Sequence, residues 1–293
     1  MTERPQERAV RAAQRPSRLV ILGHPVAHSL SPVFQRAALR AAGISLTYDR
    51  EDVAPGQLAD ALARLAAEGA GGNITIPHKE AAAVLITRCT PAARRVGAVN
   101  TFWTEQGALV GHNTDVAGAA STIRALVRGN VADVRHMPVV LCGAGGSAAA
   151  TLVALHELGY RDITIVARTP ARAQAMSARL AIPARILSSD AIESAVSAAR
   201  LVINATPVGL RDDAFPVEAA LLPLECAAFD LVYRPGLTPW IAVCRDAGRR
   251  AEDGLRMLVE QGAAAFEAWF DVPAPREAMW RALNAVPPSY DSR

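Results

Sequence analysis

Short apolar runs alternate with amphipathic stretches along nearly the whole chain. Residues 19–22 are the first such run and predict a buried strand, ended by Gly23 and Pro25. Ser31 and Pro32 then read as a helix cap followed by proline at the first helical position. Phe34, Ala37, Ala38 and Ala41 recur at helical spacing, and Gly43 is the stop. Residues 46–53 alternate as a second strand. Residues 55–67 read as a helix with Leu58, Leu62 and Leu65 inward, and Gly69, Gly71 and Gly72 close that unit. The pattern continues with a strand over 73–76, a helix over 79–86 and a helical turn over 92–96. Strands over 98–103 and 109–112 follow, joined by a turn at Gln106 and Gly107. Strand–helix alternation of this kind means an α/β unit.

A helix over 116–127 and a linker over 128–136 lead into a second series. It comprises strands over 137–142, 162–167, 201–204 and 227–232, with helices over 148–158, 171–180, 191–198 and 239–247. Asp190 stands where the third helix needs a cap. Short apolar strands, each followed by an amphipathic helix, are the rhythm of a doubly wound parallel sheet. Residues 254–269 form a last long amphipathic helix with Leu255, Leu258, Val259 and Ala263 on one stripe. Periodicity does not say which unit that stripe packs against.

Composition narrows the function classes. A length of 293 residues fits two domains. Lys and Arg outnumber Asp and Glu by 31 to 28, a net charge of +3, which is too small for an obligate nucleic-acid binder. No apolar run approaches the ~18–20 residues that span a bilayer. Cys89, Cys142, Cys226 and Cys244 form no close pair. They therefore suggest neither a zinc knuckle nor a disulfide framework, and a reducing, cytoplasmic setting suits them. No metal is expected. Residues 1–17 are Arg-rich, contain Glu3 and Glu7, lack an apolar core and read as a disordered tail.

Candidate chemistry sits at the ends of strands. The strand over 137–142 runs into Gly143, Ala144, Gly145, Gly146 and Ser147, and a helix follows. Glycines there permit a tight turn and close approach of backbone to a pyrophosphate, which the free N–H groups of the helix start would bind. A plain glycine turn is the other reading. The next strand ends at Ala167. There an NAD enzyme carries Asp or Glu for the ribose hydroxyl, whereas this chain has Arg168 and Thr169, with Arg172 one turn on. Two cations suit a 2′-phosphate, so NADP is expected over NAD. Asn204 and Thr206 follow a third strand and belong either to a nucleotide contact or to an Asx turn.

In the first half, residues 73–79 set Asn73 and Thr75 in a short strand and Lys79 at a strand-to-helix corner. Asp115 occupies a second such corner. Taken singly, Lys79 reads as a surface lysine and Asp115 as a helix cap. If they meet, each favours the other's charged form, and the ammonium can serve a substrate oxygen.

The strings at 23–32 (GHPVAHSLSP), 73–79 (NITIPHK), 97–101 (GAVNT), 113–115 (NTD), 143–146 (GAGG) and 253–261 (DGLRMLVEQ) occur in the order found in the shikimate dehydrogenase family, which the chain resembles over about residues 19–270. The resemblance implies an α/β substrate-binding domain over 18–117 and a Rossmann-like NADP-binding domain over 118–253. C-terminal helices over 254–293 would return to the first domain. It implies Lys79 and Asp115 as the catalytic pair, and Ser29 and Ser31 as hydroxyls for the substrate carboxylate. Asn73, Thr75, Asn100 and Gln261 would lie at the substrate ring, and Tyr233 near its carboxylate. Gly143 to Ser147, Arg168, Thr169, Arg172, Asn204, Thr206 and Gly254 would lie along NADP. The implied reaction reduces 3-dehydroshikimate to shikimate with NADPH in chorismate biosynthesis, carried out by a monomer or homodimer without nucleic-acid or membrane partners. The chain departs from the family pattern at four places. Ala167 stands where Asn is frequent, Ala148 to Ala150 where an arginine is frequent, His78 where Phe is frequent and Val116 where Gly is frequent. The last two adjoin the catalytic pair and point to a pocket reshaped for quinate or an amino analogue. The alternative within enzymes is a quinate/shikimate dehydrogenase using NAD or both cofactors. A non-catalytic nucleotide sensor would have lost Lys79 or Asp115, and both are present.

Overall fold

A computed structural model describes residues 16–127, 134–234 and 236–287. The expected tail falls outside them up to residue 15. Pro16 is buried, and Ser17 is bonded to the carbonyls of Gly69 (N–H, 2.9 Å) and Glu68 (hydroxyl, 2.6 Å), so the last two residues of the expected tail are packed on the first α/β unit. The expected linker lies outside them over 128–133, and Val134–His136 is a 3-10 turn.

Two compact units result. Unit 1 holds the chain up to Thr114 together with Gly262–Val286, and unit 2 holds Asp115–Gln261. The division thus falls at 114/115 rather than 117/118, and the return to unit 1 at 262 rather than 254. The reason lies in the last long helix, whose first two turns carry Met257 and Gln261 against Gly118, whereas Gly262 packs on Phe34 and Gln35.

Unit 1 is built on β1 (Leu19–Gly23), β2 (Tyr48–Asp52), β3 (Gly71–Ile74), β4 (Arg88–Cys89), β5 (Thr101–Glu105) and β6 (Ala108–His112), in the order β2-β1-β3-β5-β6-β4. β1 runs parallel to β2 and β3, whereas β5 is antiparallel to both of its neighbours. Its helices are α1 (Ser31–Ala41), α2 (Leu58–Ala67), α3 (Lys79–Leu85) and α4 (Pro91–Val96). Leu58, Leu62 and Leu65 of α2 face the core, as their spacing requires. Gln106 and Gly107 both have positive φ, which joins β5 to β6 with the twist a hairpin needs.

The third strand differs from expectation. It begins at Gly71 and ends at Ile74, so Gly71 and Gly72 are strand and not loop. A Cβ on Gly72 would stand 2.0 Å from the Val20 carbonyl oxygen, so only glycine lets β3 lie this close to β1. Similarly, residues 98–100 precede β5, because the Asn100 side chain turns to bond residue 114. The cap expected at Ser31 is also absent. Ser31 is the first residue of α1, and the N-cap is Leu30, which makes no side-chain cap bond.

Unit 2 is a fully parallel sheet of β7 (Val139–Cys142), β8 (Ile163–Ala167), β9 (Arg185–Ser188), β10 (Leu201–Asn204), β11 (Ala227–Asp230) and β12 (Ala251–Glu252). The order β12-β11-β10-β7-β8-β9 is that of a Rossmann-like, doubly wound sheet, whose strand order reverses between β7 and β10. Its helices are α5 (Asp115–Val127), α6 (Gly146–Glu157), α7 (Pro170–Leu180), α8 (Ile192–Val196) and α9 (Pro239–Asp246). Strands β9 and β12 carry no apolar run long enough to stand out in sequence. Asp190 lies in a 3-10 turn and does not cap α8.

Helix α10 (Leu255–Phe270) belongs to both units, and α11 (Arg276–Asn284) packs on α1 within unit 1. The second half of α10 docks on the unit 1 sheet. Trp269 Nε1 donates to the Phe102 carbonyl (3.1 Å), and its ring lies 6.2 Å from that of Tyr48.

Gly72→Ala should lower the urea midpoint by the equivalent of roughly 1–3 kcal/mol, the usual cost of an overpacked core. Gly56→Ala, with nothing within 4 Å of the added carbon, should leave it unchanged.

Candidate active site

The candidate residues of unit 1 gather around one buried hydrogen-bond network. Asn73 is the penultimate residue of β3, and its Oδ1 accepts from Tyr48 Oη (2.7 Å). Its Nδ2 donates to the Asn100 carbonyl (3.1 Å) and to Thr101 Oγ1 (3.0 Å). Asn100 Oδ1 accepts from the Thr114 N–H (2.8 Å), and its Nδ2 donates to Thr114 Oγ1 (2.9 Å). Asn113 Nδ2 reaches the Ala98 carbonyl (2.9 Å). Every member is buried, as the cost of an unpaired amide demands. Tyr48, Thr101 and Thr114 were invisible as site-forming residues in the sequence, because their partners lie on other strands.

Lys79 is the first residue of α3 and half-buried. Its carbonyl accepts from the Val99 N–H (2.8 Å), which ties it to the segment carrying Asn100. The start of a helix is the unfavourable end for a cation, so helix electrostatics give no reason for a lysine there. Thr75 hangs between β1 and α3, its N–H on the Leu22 carbonyl (2.8 Å) and its carbonyl receiving the His78 N–H (3.0 Å). His78 itself is buried, with Nε2 2.6 Å from the Val53 carbonyl oxygen. Its ring therefore fastens α3 to the end of β2.

Ser29 lies on the loop between β1 and α1 and Ser31 opens α1, and both are buried. The Ser31 N–H donates to Ser29 Oγ (3.3 Å), which aligns the two residues. Two residues of β2 that sequence reading passed over hold this loop. Arg50 bonds the Ser29 carbonyl, and Asp52 accepts from the Val26 N–H (3.1 Å) and meets His24 Nδ1 at 2.6 Å. The bond to His24 is the main cause holding the Asp52 carboxyl below its ordinary range. Their signal was faint: two charged residues at alternate positions of a strand.

In unit 2 the glycine loop follows β7 at the reversal of strand order. Gly143 has φ +117°, and a Cβ there would stand 2.8 Å from the Ala205 carbonyl oxygen. Gly145 is the N-cap of α6 and has no atom within 4 Å of its absent Cβ. The N-cap of α6 is itself a glycine and so brings no side chain to the first N–H groups of the helix. An open, glycine-lined helix start of this kind fits a pyrophosphate. Ala144 and Ser147 are half-buried beside it, and Ala148, Ala149 and Ala150 are buried in the helix core.

Arg168, Thr169 and Arg172 are all exposed at the tip of β8, where Ala167 is the last, buried strand residue. Asn204 settles as an Asx turn. Its Oδ1 accepts from the Thr206 N–H (3.0 Å) and Thr206 Oγ1 (2.6 Å), while Nδ2 donates to the Val208 carbonyl (3.1 Å) and Asp230 Oδ1 (2.9 Å). Asn204 thus shapes the rim with its whole side chain. Asp230, missed in sequence, also accepts from the Val232 N–H (3.0 Å) and Thr238 Oγ1 (2.9 Å). Gly254 lies against the same segment. Its N–H donates to the Val232 carbonyl (2.9 Å), and a Cβ would stand 2.3 Å from the Leu231 carbonyl oxygen. Tyr233 is half-buried beyond β11, and Gln261 Nε2 donates to the Leu258 carbonyl (2.8 Å). Asp115 opens α5, and is buried. It follows directly on Thr114, the residue that Asn100 holds.

Burial pushes the carboxyls of Asp230 and Asp253 up to about 6. Asp253 Oδ1 accepts from the Leu255 N–H (3.0 Å), and its Oδ2 has no partner among the described residues. Burial likewise pushes the thiols of Cys142 and Cys226 up to about 12, which keeps them protonated and inert. Among the described residues, no group of His, Cys, Asp and Glu is arranged to hold a metal ion, and no helix is long and apolar enough to cross a membrane.

Comparison with known proteins assigns both units. Residues 21–102 match a shikimate dehydrogenase substrate binding domain, residues 125–209 a shikimate/quinate 5-dehydrogenase family, and residues 254–283 a shikimate 5′-dehydrogenase C-terminal domain. The chain is 40% identical over 265 residues to a shikimate dehydrogenase (NADP(+)) of Mesorhizobium japonicum, covering 90% of this chain and 94% of that one. It is also 40% identical, over 283 residues, to the protein of that name from Symbiobacterium thermophilum, covering 92% and 95%. The crystal structure of shikimate 5-dehydrogenase from Thermus thermophilus in complex with NADP(H) and shikimate is similar with a TM-score of 0.80 at 36% identity, covering 91% and 98%.

The raised carboxyls give a pH dependence of defined sign. Between about pH 4 and 6 the folded chain holds protons at Asp230 and Asp253 that the unfolded chain has lost. Their contribution to stability therefore grows as pH falls through about 6 and is lost as pH rises through it. In paired urea titrations at about pH 5 and 7.5, Asp253→Asn should remove roughly 1–3 kcal/mol of the wild-type difference. An unchanged difference would show that Asp253 titrates near its ordinary value.

Proposed function

The chain belongs to the shikimate dehydrogenase family, and from that premise we propose that it reduces 3-dehydroshikimate to shikimate, reversibly, within the biosynthesis of chorismate and the aromatic amino acids. It is an oxidoreductase and its cofactor is NADP. The observation that carries the cofactor reading is the open glycine turn at Gly143–Gly146, together with a β8 tip bearing Arg168 and Arg172 and no acid. In this reading the turn binds the pyrophosphate and the two arginines, with Thr169, the 2′-phosphate. Asn204 and Thr206 shape the rim, and Gly254 leaves room where a side chain would clash with Leu231.

Bound NADPH supplies a hydride to the C3 carbonyl carbon. Lys79 offsets the negative charge that grows on the carbonyl oxygen and delivers the proton that completes the hydroxyl. Asp115 favours the charged lysine, and in the reverse direction the pair takes the proton back. Ser29 and Ser31 hold the ring by its carboxylate. Asn73, Thr75, Asn100 and Gln261 shape the surface for the ring hydroxyls. Orientation matters here because hydride transfer requires close, aligned atoms. The four cysteines are free, which accords with a cytoplasmic setting.

Ala167 favours a second reading, a quinate/shikimate dehydrogenase of looser cofactor choice, since a buried alanine at the β8 tip offers the adenosine no polar contact. Absorbance of the reduced nicotinamide separates the two, with shikimate and quinate each offered with NADP⁺ and NAD⁺. Shikimate with NADP⁺ should lead by a wide margin, and a lead for quinate or NAD⁺ would establish the second reading. Lys79→Ala should lower kcat about 10²- to 10⁴-fold with unchanged circular dichroism. Arg168→Ala combined with Arg172→Ala should raise KM for NADP⁺ about 10- to 100-fold and leave KM for NAD⁺ unaltered.

A further inference from the structure

We propose that Arg50 is a positioning residue for recognition of the substrate carboxylate: it fixes the backbone from which Ser29 and Ser31 present their hydroxyls. The inference rests on the reading that those hydroxyls bind the carboxylate. Everything it uses lies within unit 1.

The loop over 24–30 leaves β1 beside the end of β2, where Ile21 pairs with Arg50 and Gly23 with Asp52. Arg50 and Asp52 are two residues apart on one strand and therefore project from the same face. Both turn onto the loop. Arg50 donates from Nη2 (2.7 Å) and Nε (3.2 Å) to the single carbonyl oxygen of Ser29. Asp52 takes the Val26 N–H with one oxygen and meets His24 Nδ1 with the other. The Ser29 N–H closes the loop on the Val26 carbonyl (3.0 Å), and the Ser31 N–H lies on Ser29 Oγ. The peptide carrying Ser29 is thus held at its oxygen by Arg50 and at its own N–H by a residue that Asp52 anchors. The N-cap of α1, Leu30, has no capping side chain, so the Ser29 hydroxyl is the side-chain acceptor that meets Ser31 at the helix start.

Two consequences follow from the chemistry of the guanidinium. Its planar fork grips one carbonyl from two nitrogens, which fixes direction as well as distance, and a lysine ammonium does not reproduce this. It also carries its charge one peptide away from two neutral hydroxyls. Hydroxyls alone accommodate a carboxylate and its neutral ester about equally, whereas a fixed geometry beside a cation favours the anion. Arg50 therefore bears on which substrates bind, without touching the reacting atoms.

The test compares shikimate with its methyl ester, using NADP⁺ and the full-length protein in wild-type, Arg50→Met and Arg50→Lys forms. Wild type should prefer the acid over the ester in kcat/KM. Arg50→Met should raise KM for shikimate about 10- to 100-fold with kcat changed far less, leave KM for NADP⁺ alone, and leave the ester's kcat/KM close to wild type. The acid-to-ester preference would then collapse, and Arg50→Lys should recover only part of it. A merely structural role would move both substrates, and the cofactor, together. If Arg50→Met does not fold, Arg50→Lys carries the same comparison, and a full wild-type preference in it would overturn the role given to the fork. A wild-type preference retained in Arg50→Met would overturn the proposal while leaving the serine reading intact. A wild type that does not distinguish acid from ester would overturn the serine reading and the proposal with it.

Discussion

A single buried amide, Asn100, organises the candidate chemistry of unit 1. Its carbonyl oxygen accepts the Thr114 N–H and its amide donates to the Thr114 hydroxyl, so both ends of one side chain go to one residue fourteen positions away. A buried amide left half-paired would cost more than its net bonds contribute, so the two segments are obliged to meet. The Asn100 carbonyl receives Asn73, and the preceding residue, Val99, holds the Lys79 carbonyl. Asn73, Lys79 and the residue just before Asp115 are therefore placed by the same few hydrogen bonds. Removing the Asn100 amide would release the Thr114 segment, while the bonds to Asn73 and Lys79, made by the main chain at 99 and 100, would remain.

Unit 2 reaches a comparable end by a different route. The rim at the ends of its strands is shaped by close approach, and glycine is what permits it. Gly143 lies against Ala205 and Gly254 against Leu231, each too close for a Cβ. Between them Asp230 joins the turn after β10, the backbone after β11 and the start of α9 through Asn204, Val232 and Thr238. Desolvation raises the Asp230 carboxyl, and these bonds pull the other way. The carboxyl organises the rim and has no need to touch the cofactor.

The departures from the family pattern separate into kinds once they are in place. His78 is spent on the Val53 carbonyl, so that substitution concerns the joint between α3 and β2. Ala148 to Ala150 belong to the buried face of α6. Ala167 ends β8, buried, next to the exposed Arg168.

Local rules along the chain were enough to dictate the two-unit α/β plan, the glycine turn, the cationic β8 tip and the set of polar residues at strand ends. Those rules are apolar runs of strand length, helical spacing and residues that permit or forbid a backbone shape. What each polar residue is spent on emerged only in the folded chain. Gly71 and Gly72 became strand because β1 lies against them, Ser31 is not a cap, and Asn204 is an Asx turn. Arg50 and Asp52 carried only a faint signal and Asp230 none, since their partners are brought by strands and loops elsewhere in the chain. Periodicity reports which face of an element is buried. It does not report which buried hydrogen-bonding group will find which partner, and in this protein that pairing positions the site.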